Sequence, residues 1–383
     1  MADPILLAGG GTAGHVNPLL AVADELRRRD PDRPITVLGT ATGLEADLVP
    51  ARGYPLVLVP RVPLPRRPTA DWLRLPARLR QAVRAAGRAI DASGPRVVVG
   101  FGGYVSTPAY LAARRRGIPI VVHEANSRPG LANRLGARLT RFVGVTFATT
   151  ALPHAVLTGM PLGREVAELA TGDRVEARTA ARQRLGLDPR APLLLVTGGS
   201  LGAARLNSAV TAVARELAEA GVQVLHLTGR GKASEVRAAI AGTVAENTHQ
   251  IREYLTEMDQ AYAAADLVLA RSGAATVSEL AALGVPSVFV PLPIGNGEQR
   301  LNAEPVVSAG GALLVADSAL TPDWLRAQLI PLLHDPERLA VMARAASGAG
   351  VVDGAARVVD LIERALASRG GASRAGADGA GAR

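Results

Sequence analysis

Two glycine-rich turns each follow a short apolar run and open onto a helix-like segment, and a histidine heads the first of these helices. The first stretch reads Ile5–Ala8 and then Gly9-Gly10-Gly11-Thr12-Ala13-Gly14-His15. The second reads Leu193–Val196 and then Thr197-Gly198-Gly199-Ser200-Leu201-Gly202. A buried strand entering a glycine turn and a helix N-terminus leaves backbone N–H groups unpaired, and the helix dipole favours negative charge there. Each turn therefore reads as an anion site. A pair of them suits a phosphorylated donor held by one half of the chain and an acceptor held by the other. A helix N-terminus also disfavours an imidazolium, so His15 should be neutral near pH 7 and able to take a proton. A capping or positioning role for His15 carries equal weight.

Other polar clusters follow apolar runs in the same way. Gly100-Phe101-Gly102-Gly103-Tyr104-Val105-Ser106 is one, and its glycines let a ligand approach the backbone. His123-Glu124-Ala125-Asn126 is the next. Ligands of open α/β sheets gather beyond the carboxyl ends of the strands, so these clusters and His15 are expected to converge on one cleft. In the second half, Arg271-Ser272-Gly273-Ala274-Ala275-Thr276-Val277-Ser278-Glu279 joins a strand end to a helix start. Ser272 or Thr276 could donate to phosphate there. Glu279, one turn in, could accept from both hydroxyls of a ribose or serve as a capping carboxylate. Gly295–Ala303 is a polar loop leading into a helix.

Gly9-x-Gly11-x-x-Gly14 matches a dinucleotide fingerprint, which also calls for an acid at the end of the second strand. That strand ends Leu38-Gly39-Thr40, and the nearest acid is Glu45, past a turn. A tight turn packing helix on strand is the better reading of these glycines.

The elements that must position these groups alternate along the chain. Strands are expected at Ile5–Ala8, Ile35–Leu38, Leu56–Val59, Arg96–Val99, Ile118–His123 and Arg141–Val145, with helices at Pro18–Arg29, Ala77–Ala92 and Pro108–Arg115. Leu162–Pro192 is polar and poor in strand signal, as a connection would be. Beyond it come strands Leu193–Val196, Val222–Leu227, His249–Arg252, Leu267–Ala270, Ser287–Val290 and Ala312–Val315. Helices are expected at Ala203–Ala220, Met258–Ala265, Thr276–Ala282, Gln299–Ala309, Asp323–Leu333, Pro336–Ala346 and Gly354–Ala367. Apolar strands alternating with helices indicate parallel sheets covered on both faces, an α/β class.

The 383-residue length favours two domains, and 48% hydrophobic residues supply two cores. There is no cysteine, which excludes disulfides, thiol nucleophiles and thiolate metal sites. The net charge of +9 is almost wholly arginine, Lys232 being the only lysine. It reflects either a GC-rich genome or attraction to an anionic surface. No secretory leader and no apolar run of membrane-spanning length is visible, so a soluble or peripheral protein on the cytoplasmic side is expected.

At this point the chain resembles the MurG family of N-acetylglucosaminyltransferases of peptidoglycan synthesis. The matching stretches, in order, are GGGTAGHVNP (9–18), GLEADLVP (43–50), GFGGYVSTP (100–108), HEAN (123–126), GGSLGA (198–203), RSGAATVSE (271–279) and EQRLNA (298–303). The resemblance implies a GT-B fold, two Rossmann-like domains with parallel sheets facing across a cleft. By this reading residues 1–161 form the acceptor- and membrane-facing domain and 162–349 the UDP-GlcNAc domain. A C-terminal helix at about 350–367 packs back on the first, and a Gly/Ala/Arg-rich tail, 368–383, is disordered.

The implied reaction is a metal-independent, inverting transfer of GlcNAc from UDP-GlcNAc to the C4 hydroxyl of MurNAc on the undecaprenyl-linked acceptor lipid I, giving lipid II. No cofactor is implied. By motif position Ser200 would meet the diphosphate, Leu255 the uracil and Glu279 the ribose. Ala274, Ala275, Thr276, Val277 and Ser278 would line the diphosphate and nucleoside. Gln299 and Glu298 would face the sugar, with Thr12, Ala13, Gly14 and Asn126 closing over it from the acceptor side. His15 or Glu124 would be the base. Gly102, Gly103 and Tyr104 would belong to the acceptor side. The family arginine after the Gly-x-Pro turn is missing, Gly163 standing there, and Arg164 is the candidate to replace it. Leu201 and Glu298 stand where glutamine is common.

Arg66, Arg67, Trp72, Leu73, Arg74, Leu75, Arg78, Leu79, Arg80, Val83, Arg84 and Arg88 combine arginine with apolar spacing. An ordinary surface helix has this composition too. A lipid-linked acceptor favours an interfacial segment on an anionic inner leaflet, with Trp72, Leu75 and Leu79 as contacts. Other cell-wall and division proteins are candidate partners, and nucleic acid is not expected. The competing readings are a UDP-GlcNAc 2-epimerase, which would share architecture and donor, and a non-catalytic membrane-docked scaffold.

Overall fold

The computed structural model describes residues 3–62, 71–199 and 202–377. The chain forms two α/β units, Met1–Gly163 together with Asp353–Arg383, and Arg164–Val352. In the first unit the chain runs β1 (Ile5–Ala8), α1 (Ala13–Arg29), β2 (Ile35–Gly39), α2 (Glu45–Ala51), β3 (Leu56–Leu58) and α3 (Asp71–Ser93). It continues through β4 (Val97–Gly100), α4 (Ser106–Arg115), β5 (Ile120–Glu124), α5 (Leu131–Gly136), β6 (Phe142–Val145) and β7 (Ala155–Leu157). The strands pair in parallel in the order β3-β2-β1-β4-β5-β6-β7. β1 and β4 are apolar along their length because helices cover both faces of the sheet, leaving every residue of both strands buried.

The second unit opens with α6 (Arg164–Thr171) and α7 (Arg174–Leu185), where the sequence suggested a plain connection. The signals for α7 are local. The Asp173 carboxylate accepts from the N–H groups of Val175 and Glu176, and Gly186 ends the helix at a φ of 70°. Then come β8 (Leu193–Thr197), α8 (Ala204–Thr211), α9 (Ala214–Glu219), β9 (Gln223–Leu227), α10 (Ala233–Ile240), β10 (His249–Arg252), α11 (Met258–Ala264) and β11 (Leu267–Ala270). They are followed by α12 (Ala274–Ala282), β12 (Ser287–Phe289), α13 (Glu298–Ser308), β13 (Ala312–Leu314), α14 (Pro322–Trp324), α15 (Ile330–Leu333) and α16 (Pro336–Ala349). The parallel sheet has the order β10-β9-β8-β11-β12-β13.

The last helix, α17 (Gly354–Ala377), belongs to the first unit. Its Val358, Val359, Leu361, Ile362 and Ala365 are buried with Leu19, Val22 and Leu26 of α1 in one core. Arg29 pairs with Asp360 at 2.6 Å and Arg33 with Glu363 at the rim of this contact. The helix runs past Ser368, where composition predicts the start of a disordered tail. Extending an existing helix carries no nucleation cost, which offsets the weak helix propensity of Gly370, Gly371 and Gly376. Residues 378–383 of that tail lie outside the described residues.

In both sheets the strand order reverses beside the first strand. β1 lies next to β4, with Ala8 opposite Gly100, and β8 lies next to β11, with Thr197 opposite Ala270. These switch points, where connections diverge to opposite sides, are where α/β sheets open a crevice at their carboxyl edge.

Candidate active site

At the first switch point the glycine turn after β1 and the loop after β4 are fastened together. The Phe101 N–H donates to Ala8 O at 2.8 Å, and the Ser106 hydroxyl, bonded to Ala8 O at 3.0 Å, accepts from Gly102 N–H. Gly103 has a φ of 79°, and a side chain there would collide with the Gly10 carbonyl. The two loops thus approach as closely as glycine permits.

His15 stands in the first turn of α1, half-buried. Its Nδ1 is 3.2 Å from Gly10 O and 3.2 Å from Thr12 Oγ1. A carbonyl only accepts, so Nδ1 carries the proton, and Nε2 keeps its lone pair against Gly102. Burial lowers the His15 pKa, with Glu124, the Gly10 carbonyl and Glu45 opposing the shift. The ring is neutral at pH 7, with its basic nitrogen at the turn where the two loops meet.

Glu45 is wholly buried beneath the same turn. Its Oε2 accepts from Gly11 N–H at 2.8 Å, and its Oε1 from the Thr40 N–H at 2.9 Å and hydroxyl at 2.7 Å. The first glycine turn thus holds an anion from its own chain. A 50 Å³ pocket beside it is lined by Gly11, Thr40, Thr42, Arg61 and Tyr104, with the Arg61 guanidinium 4.6 Å over the Tyr104 ring.

Glu124, at the end of β5, is buried and clasps the following loop. Oε1 accepts from Asn126 N–H at 2.9 Å, and Oε2 accepts from Gly130 N–H at 2.9 Å and Asn133 Nδ2 at 3.0 Å. Asn133 also donates to His123 O and accepts from the buried Tyr110 hydroxyl at 2.8 Å. His123 departs from the expected convergence. It is fully buried, bonded through Nε2 to Gly159 O at 3.1 Å, and burial drops its pKa to about 4. It is a core histidine because alternate residues of a strand face opposite ways.

At the second switch point, α12 begins after Gly273 with no side chain capping it, leaving its first-turn N–H groups at Ala274, Ala275 and Thr276 facing the sheet edge. Arg271 braces this edge. It pairs with Asp317 at 2.6 Å and donates to Val290 O and Pro291 O, both at 3.1 Å. Glu279 is half-buried and accepts from the Tyr262 hydroxyl at 3.0 Å. Burial raises its pKa, and the tyrosine bond acts against the rise. Val277 is buried in the face of α12 that meets the core, while Ser278 is half-buried. Leu255 is buried after β10. The Gln299 carbonyl oxygen accepts from Leu292 N–H at 3.0 Å, closing the loop before α13. Ser200 and Leu201 lie outside the described residues; of their turn, Gly198 and Gly202 press against Ala203 and Thr228 O, where a side chain would collide.

Thr12 is exposed, and Ala13, Gly14 and Asn126 are half-exposed around the first-unit turn. Arg164 lies at the start of α6, 2.6 Å from Glu168, with an exposed side chain. Arg66 and Arg67 lie outside the described residues, as does the Trp72 side chain. The apolar spacing of α3 has a different use from the one expected: Val83, Ala86 and Ile90 are buried, and Leu79 is half-buried against the same core, whereas Leu75 is half-exposed. The outward stripe is Arg74, Arg80, Gln81, Arg84 and Arg88. No helix among the described residues is long and apolar enough to cross a membrane.

Sequence reasoning missed the supporting residues Tyr110, Asn133 and Tyr262, named Ser106 only as part of its cluster, and weighed Glu45 only as a ribose ligand.

Residues 5–145 match the glycosyltransferase family 28 N-terminal domain and 193–358 its C-terminal domain. A relative from Frankia casuarinae, named UDP-N-acetylglucosamine–N-acetylmuramyl-(pentapeptide) pyrophosphoryl-undecaprenol N-acetylglucosamine transferase, is 56% identical over 96% of this chain and 97% of its own. One of the same name from Leifsonia xyli is 56% identical over 95% and 99%. The crystal structure of Acinetobacter baumannii MurG superposes with a TM-score of 0.76 at 31% identity, covering 94% of this chain and 99% of that one. A UDP-GlcNAc 2-epimerase from Neisseria meningitidis matches at a TM-score of 0.67 but only 16% identity, over 94% and 100%, a likeness of fold alone. With both family domains matched and more than half the residues shared across nearly the full length, this chain belongs to glycosyltransferase family 28, within the MurG family of N-acetylglucosamine transferases.

Proposed function

We propose that the enzyme transfers GlcNAc from UDP-GlcNAc to the MurNAc C4 hydroxyl of lipid I by a single inverting displacement, with His15 as general base. The carrying observation is the pinned ring. With Nδ1–H held by Gly10 O, Nε2 is free to take the hydroxyl proton as the C4 oxygen bonds to the sugar C1 and the C1–O bond to UDP breaks. Glu124 is the weaker candidate, because its oxygens accept from Asn126, Gly130 and Asn133.

The donor belongs at the second switch point. The uncapped amides at Ala274–Thr276, with Ser200, meet the charge growing on the departing diphosphate. Glu279 takes the ribose hydroxyls, Leu255 packs on the uracil, and Gln299 faces the sugar. Thr12, Ala13, Gly14 and Asn126 bear on the sugar from the acceptor side, with Gly102, Gly103 and Tyr104 near the acceptor itself. Arg164 stands in for the family arginine. The arginine stripe of α3 holds the protein peripherally on the anionic cytoplasmic leaflet where the lipid acceptor resides.

UDP release in the presence of a lipid I analogue tests the reading. Activity that survives chelation and is lost in His15→Ala supports it. An inactive wild type, a chelation-sensitive reaction rescued by magnesium, or an unimpaired His15→Ala overturns it. UDP-ManNAc formed from UDP-GlcNAc alone would favour an epimerase.

A further inference from the structure

We infer that Glu45 is a positioning residue that fixes the His15 ring through a single peptide plane, that between Gly10 and Gly11. Glu45 Oε2 accepts from the N–H end of this peptide at 2.8 Å, and His15 Nδ1 bonds its carbonyl end at 3.2 Å. The peptide is planar and trans, so its N–H and C=O point in opposite directions. A carboxylate on one end draws the peptide into a fixed orientation and polarises the carbonyl at the other, strengthening its hold on Nδ1–H. The arrangement is a carboxylate–imidazole pair with an amide interposed.

The surroundings are shaped for this carboxylate. A Cβ on Gly10, Gly39 or Gly43 would collide with the Glu45 side chain, so three glycines form its walls. Gly11 holds a φ of 93°, which turns its N–H toward Glu45 at no steric cost only because it lacks a side chain. Thr40 fixes Oε1 with two donors. Burial pushes the Glu45 carboxyl up, but the bonds from Gly11 and Thr40 outweigh it and hold it below the usual carboxylate range, ionised. The seat that a nucleotide phosphate would take at Gly11 in a dinucleotide-binding turn is filled from within, and the turn serves His15 instead.

The inference rests on the base assignment above for its effect on rate, but not for its effect on the ring. In Glu45→Gln, the amide cannot present two acceptor oxygens, so either Gly11 or Thr40 loses its partner. With ¹⁵N-histidine labelling, the wild-type His15 signal at neutral pH should show the Nδ1–H tautomer, and Glu45→Gln should shift it toward Nε2–H. Turnover should fall by roughly 10- to 100-fold, less than the ~10⁴ seen when a carboxylate bonded directly to a catalytic imidazole is neutralised. The UDP-GlcNAc KM should stay within about twofold, since the nucleotide groups lie in the other unit.

Thr40→Val, which keeps the carboxylate but loosens it, should move both readouts the same way by less, and serves if Glu45→Gln does not fold. An unchanged tautomer in a folded variant overturns the inference, as does a shifted tautomer with unchanged turnover where His15→Ala is inactive. His15→Ala run in parallel separates the two ideas: full activity there removes the base assignment, while the tautomer still reports whether Glu45 governs the ring.

Discussion

The Tyr262 hydroxyl, on α11, donates to Oε2 of Glu279, on α12, over 3.0 Å. The bond orients the carboxylate proposed to hold the ribose and opposes the upward pull of burial on its pKa. A hydrogen bond to a charged group is worth about 1.5–3 kcal/mol. Tyr262→Phe should therefore raise the UDP-GlcNAc KM about tenfold with a smaller change in kcat. Losing the donor lets the Glu279 pKa rise further, so the acid limb of nucleotide binding should move to higher pH. Titration calorimetry with UDP between pH 5 and 8 reads both effects.

Asn133→Ala should destabilise the first unit and slow turnover. It takes the acceptor from the buried Tyr110 hydroxyl, removes one of the two donors to Glu124 Oε2, leaving Gly130 N–H, and loosens the loop from Ala125 to Gly130. An unsatisfied buried group costs about 1–3 kcal/mol. Urea denaturation should show a loss in this range, and the kcat loss should persist well below the melting temperature.

Stability should fall on acidification below neutrality, before carboxylate protonation becomes important. His226 and His249 are buried side by side, Nδ1 to Nε2 at 3.0 Å, with His226 bonded to Asn207 at 3.1 Å. Burial lowers their pKa to about 3 and about 4, and that of His123 to about 4. Unfolded histidine protonates near 6.5, so between about pH 6.5 and 4 the unfolded chain binds protons that the folded one refuses. Each histidine should contribute a slope of about 1.4 kcal/mol per pH unit, lost as pH falls. Denaturation curves from pH 7 to 4.5 measure it, and a His226→Phe/His249→Leu variant, less stable at pH 7, should show the shallower slope.

Replacing Arg80, Arg84 and Arg88 by glutamate should abolish sedimentation with vesicles rich in anionic lipid. Each juxtamembrane arginine contributes about 1 kcal/mol, and the wild-type binding should weaken with salt. Because the apolar face of α3 is inside the core, turnover on a water-soluble acceptor analogue should be unaffected.

Strands were legible where burial on both faces makes them unbroken apolar runs: β1 and β11 were read to the residue. β7 was missed because it is three residues long and exposed throughout. α2 and α5 were missed because each spans fewer than two full turns, too short for an apolar stripe to repeat. One begins with Glu45, held by Thr40 and Gly11, and the other contains Asn133, held by Glu124. The expected helix at Ala203–Ala220 is two, α8 and α9, with no proline or glycine to mark the break. Motif residues such as His15 and Glu279 could be read from their place after strands. Their partners Tyr262, Glu45 and Asn133 lie at separations that only the fold brings together.

Because α17 completes the sheet unit that β1 begins, the unit opened by Met1–Gly163 is finished only by a segment that follows the whole second unit. During synthesis on the ribosome, the later unit has all its residues before the earlier one does. The early sheet must wait, with the patch destined for Val358, Ile362 and Ala365 uncovered, until α17 has been made. A chain cut at Val352 would hold a complete second unit and an unsealed first, a natural substrate for chaperones.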